Sequence, residues 1–145
     1  MIIFTQHFQP KTNPHIDFII PLTAEQRYRS RQTIELSSLQ KLSLRLPRGT
    51  VLEDGDLLQS ETQEHIAQII AMPEPVITVK ANSELELIRA AYHLGNRHVP
   101  LEITSTYLRL SPDSVLESML VKLGLEVVEE IAPFYPEKGA YGHHH

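Results

Sequence analysis

Cysteine is absent from the 145 residues. That excludes disulfides, thiolate catalysis, iron–sulfur clusters and every zinc site built on sulfur. No apolar run approaches the roughly 18 residues a membrane span needs, and the start, "MIIFTQHFQP", lacks the basic region and long apolar stretch of a secretory signal. A cytoplasmic address, with no membrane contact, is expected. Basic side chains are in deficit, 13 against 18 acidic, for a formal charge of −5. That sign opposes nucleic-acid binding, which draws most of its non-specific affinity from a basic surface. There is no HExxH pair, no phosphate-cradling glycine loop and no recognisable Ser-His-Asp order. What remains for metal chemistry is imidazole and oxygen, and the chain has eight histidines.

The first half reads as short strands. "HIDFIIPL" (15–22), "QTIEL" (32–36), "KLSLRL" (41–46) and "HIAQIIA" (65–71) are apolar or alternating, with turn signals at Pro47-Arg48-Gly49 and Asp54-Gly55-Asp56. Leu42, Leu44 and Leu46 share one face of a period-2 pattern. Thr23 to Gln26 has capping-box spacing and predicts one or two helical turns. Residues 1–72 therefore predict a small antiparallel β domain. Arg27, Arg29 and Arg31 alternate, as on a solvated strand face or a docking patch for an acidic partner. "AMPEPV" (71–76) is a proline-stiffened spacer.

Beyond it the pattern changes. "VITVK" (76–80) predicts a strand, and Ser83 with Glu86 predicts a capped helix carrying Leu85, Ile88, Ala91 and Tyr92 at helical spacing. Gly95, tolerant of the left-handed conformation, predicts its end. "HVPLEIT" and "TYLRL" (106–110) form a hairpin, with Val99, Leu101 and Ile103 on one face. Ser111-Pro112 reads as an N-cap followed by a first-turn proline. The next helix carries Val115, Leu116, Met119, Leu120 and Leu123 and closes at Gly124, before a last strand in "LEVVEEIA" (125–132). The order β-α-β-β-α-β over 76–135 is ferredoxin-like, making the whole chain α+β. Residues 136–145 form a flexible tail, and the whole Pro/Gly-rich stretch from Pro133 is expected to be mobile.

His93 lies in a last helical turn, where a histidine ordinarily complements the helix dipole, and His98 starts the following strand, where a lone histidine is ordinarily a surface residue. His143, His144 and His145 fit either an affinity-tag remnant or a natural metal-collecting tail. His7, His15 and His65 have no ligand spacing and receive no role.

"YHLGNRHVPLEI", "YLRLSPDSVLESMLVKLGL" and "PFYPEKGAYGH", with "LPRGTVLEDGDLL" (46–58) in the first half, closely resemble the urease accessory protein E (UreE) family, the nickel metallochaperones of urease maturation. The resemblance covers nearly the whole chain. It implies a protein that catalyses nothing: an N-terminal β domain that engages partner proteins, and a ferredoxin-like domain that binds metal and forms a homodimer. It places His98, the histidine of the GNRH motif, at the two-fold interface facing one Ni²⁺. Tail histidines then complete the coordination: His143, with His144 and His145 if they are natural. His93 is a further metal candidate, as a ligand or a residue supporting one, on its own position and not on the resemblance. The resemblance also implies urease and the other urease accessory proteins as partners. Some members carry further histidines where this chain has "SPDS" (111–114), so no secondary metal site is expected there.

Two-fold symmetry makes this economical, because one histidine near the axis becomes two ligands. Imidazole suits nickel, and Zn²⁺ or Cu²⁺ would substitute in vitro, since such a site has no intrinsic means of rejecting copper. A carrier must release its ion, so an affinity near micromolar, about −8 kcal/mol, is expected rather than the roughly 10–16 kcal/mol of structural zinc sites. Imidazoles ligate when neutral, so loading weakens as pH falls through about 6.5. Two other classes fit parts of the pattern: a metal-dependent hydrolase using His98, and a ferredoxin-like nucleic-acid-binding module, for which Tyr107 is the one aromatic in the third strand of that domain.

Overall fold

The computed structural model describes residues 1–139. The chain divides into two compact units, Met1–Met72 and Pro73–His145.

The first unit is one six-stranded sheet with a single helical turn. Its strands are β1 (Ile2–His7), β2 (Phe18–Leu22), β3 (Arg31–Ser37), β4 (Gln40–Arg45), β5 (Leu57–Ser60) and β6 (Ile66–Ala71), in the spatial order β2-β6-β5-β1-β4-β3. The sheet is mixed: β1 runs parallel to β4 and β2 parallel to β6, while the other pairs are antiparallel. The parallel pairs join strands far apart in sequence, so no hairpin signal announces them. Leu42, Leu44 and Leu46 are buried as their alternation predicts, and they pack with Phe4, Ile20, Leu22, Leu58 and Ile69. Helix α1 (Ala24–Arg27) begins with the capping box foreseen at Thr23 and Gln26. The three arginines do not share a strand face. Arg27 ends α1 and is buried, Arg29 pairs with Glu25 at 2.6 Å, and Arg31 opens β3.

The second unit runs β7 (Glu74–Lys80), α2 (Glu84–Asn96), β8 (Glu102–Ile103), β9 (Leu108–Leu110), α3 (Ser114–Lys122) and β10 (Glu126–Ala132). All sheet pairs are antiparallel, in the order β10-β7-β9-β8, which is the ferredoxin-like arrangement. Ile77 and Val79 of β7, with Leu108 and Leu110 of β9, pack against Leu87, Ala90, Leu94 and Leu120 from the helices. The buried face of α2 thus differs from the one expected. Leu85, Ile88 and Tyr92 lie outside it, exposed, so this helix is apolar on two sides. Val115 and Leu123 of α3 are likewise exposed. The N-cap of α3 is Asp113, not Ser111; its Oδ1 accepts the N–H groups of Val115 and Leu116 at 2.9 and 3.0 Å. A carboxylate next to the helix start satisfies two orphan donors, and Pro112 stands outside the helix.

Composition predicts a mobile segment from Pro133, but its first part is held. Phe134 is fully buried, the Tyr135 N–H donates to Glu102, and the Glu137 N–H donates to the Leu101 carbonyl at 2.8 Å. The partners lie more than thirty residues upstream, beyond the reach of local sequence signals.

Candidate metal site

Helix α2 runs past Gly95, placing its left-handed residue three positions later than predicted, and that residue is a histidine. Gly95 stays within the helix; Arg97 is the C-cap, and His98 has φ +56°. The His98 N–H donates to the Gly95 carbonyl at 3.0 Å, and the Val99 N–H to the Leu94 carbonyl at 3.3 Å. These are the two bonds of a Schellman motif with His98 at C′. Helix α3 closes the same way: the Gly124 N–H donates to Val121 and the Leu125 N–H to Leu120, with Gly124 at φ +85°. One chain thus makes the same turn twice, once with the residue that suits it and once with a histidine. A side chain with a Cβ in the left-handed region costs roughly 1–2 kcal/mol, and such strain collects at functional positions.

The imidazole of His98 is exposed beyond the helix end. His93 is half-buried one turn back and lines a crevice with Glu86, Arg89, Leu123 and Leu125. Its ring meets Tyr92 edge-on at 5.5 Å, and its backbone carbonyl accepts the Arg97 guanidinium at 2.9 Å. His143, His144 and His145 lie outside the described residues. Among the described residues, no group of three His, Asp or Glu side chains is arranged to hold a metal ion. In the first unit, His15 and His65 flank Asp17 at 3.6 and 3.9 Å, and His7 pairs with Asp56 at 3.1 Å. The His65–Asp17 and His7–Asp56 contacts bridge residues too distant in sequence for spacing to reveal them, whereas His15 and Asp17 are two residues apart.

The exposed residues of α2 have their own order. Leu85, Ile88, Tyr92 and Gly95 recur at intervals of three, four and three, the spacing of a helix–helix seam, and they lead to the His98 turn. A Cβ placed on Gly95 would meet nothing within 4 Å in a single chain.

The opposite face of the sheet carries a polar network. Across neighbouring strands, Thr78, Arg109 and Glu102 stand in register. The Arg109 Nε donates to Thr78 at 3.0 Å, its other nitrogens lie 3.5 Å from Glu130 and 3.8 Å from Glu102, and the guanidinium stacks on Tyr107 at 4.6 Å. The Tyr107 hydroxyl donates to Glu102 at 3.0 Å. Burial, together with that hydrogen bond, raises the Tyr107 pKa, while the Thr78 hydroxyl and then Arg109 lower that of Glu130. Nucleic-acid binding on this face would need free aromatics. Here Tyr107 is bonded to a carboxylate and stacked under an arginine, and Glu130 adds a second negative charge.

The fold defines the class: a two-unit α+β chain whose second unit is ferredoxin-like. Residues 2–71 match the family described as "UreE urease accessory protein, N-terminal domain", and residues 74–145 match its C-terminal domain. The chain is 57% identical over its whole length to the urease accessory protein UreE of Nostoc sp. (strain PCC 7120), covering 99% of that protein. It is 51% identical over 125 residues to that of Thermosynechococcus vestitus, covering 86% of this chain and 87% of the relative. It therefore belongs to the UreE urease accessory protein family and is not an enzyme. No helix among the described residues is long and apolar enough to cross a membrane.

Proposed function

We propose that this chain is a homodimeric cytoplasmic carrier that binds Ni²⁺ between its two second units and releases it for assembly of the urease metallocentre. The single observation that carries this reading is the left-handed, exposed His98 at a position where the same fold uses glycine 26 residues later. Stability alone would favour glycine at both ends. An exposed imidazole fixed at that turn is available for coordination, the task this chain's chemistry offers it.

A second copy supplies what a single chain lacks. The seam of Leu85, Ile88, Tyr92 and Gly95 suits packing against its own twin, with Gly95 allowing close backbone approach near the axis. Two His98 imidazoles then form the nucleus of the site. The matched C-terminal domain runs to residue 145, which supports natural tail histidines, and His143, His144 and His145 are assigned as additional ligands. His93, turned into its crevice, is a nearby reserve ligand. Zn²⁺ and Cu²⁺ compete for the same nitrogens. The first unit is assigned to contacts with urease and its other accessory proteins.

The test is nickel titration by calorimetry on wild type and His98→Ala. Binding of one ion per dimer should be lost or weakened at least tenfold in the variant, with the dimer intact by sedimentation. Unchanged binding would refute the assignment.

A further inference from the structure

The sheet of the first unit has two edges, and they are not equally protected. At one edge β2 carries Pro21, which has no N–H to offer a further strand. At the other, β3 runs seven residues, Arg31–Ser37, without a proline. Its backbone pairs with β4 on one side. On the other, among the described residues, its outward N–H and C=O groups have no partner. Such an edge is a template for an added strand.

The charge around this edge is lopsided. Residues 26–52 carry six basic side chains and one acidic. Backbone pairing gathers three of the cations. Arg31 stands opposite Arg45 in the β3–β4 ladder, and the Leu46 N–H donates to the Ser30 carbonyl at 2.8 Å, which holds the start of the loop bearing Arg48 beside the start of β3. Arg31, Arg45 and Arg48 are exposed, and among the described residues none has a carboxylate partner. Further along the same ladder Glu35 faces Lys41, so opposite charges are matched at one end and like charges left facing at the other. The alternate residues of β3, Ile34 and Leu36, are half-buried and pack against the core of the unit.

We propose that β3 is a docking edge for an extended segment of a partner protein, which adds to the sheet as a strand. Alternate residues of that segment are apolar beside Ile34 and Leu36, and a carboxylate meets Arg31 and Arg45. A net charge of −5 opposes a nucleic acid as the occupant. This deepens the partner-binding role proposed for the first unit and rests on it. Nickel plays no part in it, so the nickel titration above and the experiment below can fail separately.

The experiment follows the fluorescence anisotropy of a labelled peptide, as long as β3 and alternating valine with glutamate, titrated with the full metal-free chain. Amide hydrogen exchange over residues 31–37 is measured with and without the peptide. Binding is expected, with slowed exchange at alternate residues of β3, and it should weaken as salt screens the arginines. Arg31→Glu and Arg45→Glu should each weaken it about fivefold, and a peptide alternating valine with lysine should not bind. Methylating the backbone nitrogens of the valines removes one alternate row of peptide donors, and methylating those of the glutamates removes the other. One peptide should lose binding and its counterpart keep it, a test that holds even if a substituted chain fails to fold. No binding of the valine–glutamate peptide, unchanged affinity in both arginine variants, binding without protection of β3, or equal losses from the two methylated peptides would overturn the docking edge. Tighter binding of oligothymidylate with the same arginine dependence would overturn it in favour of a nucleic acid.

Discussion

His98 and Gly124 occupy the same place in the same turn, each the left-handed residue that closes a helix through a Schellman pair of hydrogen bonds. Gly124 takes that conformation at no steric cost, whereas His98 carries a Cβ into it. His98→Gly should therefore stabilise the fold by about 1 kcal/mol while removing the imidazole. His98→Ala, which keeps a Cβ, should leave stability near that of wild type. Both should lose nickel. Thermal melts of the metal-free proteins beside calorimetric titrations check the pattern; a destabilised His98→Gly would mean the side chain is structural.

Most strands and the caps at Thr23, Ser83 and Gly124 were legible because their signals are local, whereas the caps expected at Ser111 and Gly95 are Asp113 and Arg97. Alternating Leu42, Leu44 and Leu46, the Thr23 box and Gly124 each report on backbone geometry within a few residues. The left-handed turn was not, because Gly95 and Asn96 both tolerate that geometry better than the histidine that adopts it. Helix α2 misleads for another reason: with apolar residues on two sides, periodicity cannot say which side meets the sheet. The held segment after Pro133 is invisible to composition because its anchors, Glu102 and Leu101, arrive through tertiary structure. The GNRH motif points to His98 by resemblance; the structure adds that this residue is exposed and left-handed.

The exposed seam on α2 gives a prediction about assembly. Ile88 is 58% exposed, so Ile88→Glu should leave the folded chain within about 0.5 kcal/mol of wild type. Placed at the centre of a two-fold contact, the same substitution brings two carboxylates together. Sedimentation should report a monomer at micromolar protein concentration, with nickel affinity falling in step because each His98 has lost its mate. A dimer that persists would move the interface elsewhere on the second unit.

The network around Arg109 fixes a pH dependence. Glu130 titrates below its ordinary value because Thr78 and Arg109 favour its charged form. Its contribution is thus present above the unfolded carboxylate value and is lost as pH falls through the lowered folded one. Tyr107 is raised, so its contribution is intact below about 10 and lost as pH rises through the folded value. Denaturant melts across pH should show an acid limb reduced in Glu130→Gln and an alkaline limb reduced in Tyr107→Phe. An exchange of those effects between the variants would contradict the hydrogen-bond assignments.

In the first unit, Arg31 of β3 and Arg45 of β4 stand directly opposite each other, both exposed, while two positions from the far end of the ladder Glu35 faces Lys41. Among the described residues neither arginine has a carboxylate partner. Like charges in register oppose strand pairing, and converting one to the opposite sign should recover about 0.2–1 kcal/mol. Arg31→Glu is therefore expected to raise the denaturation midpoint of the first unit, with the gain shrinking in high salt as screening removes both the old repulsion and the new attraction. A partner protein that meets this edge with carboxylates would invert the preference. Arg31→Glu should then weaken its capture of an acidic surface even as the isolated chain grows more stable, and the two measurements on one variant separate a docking pair of arginines from an ordinary solvated one.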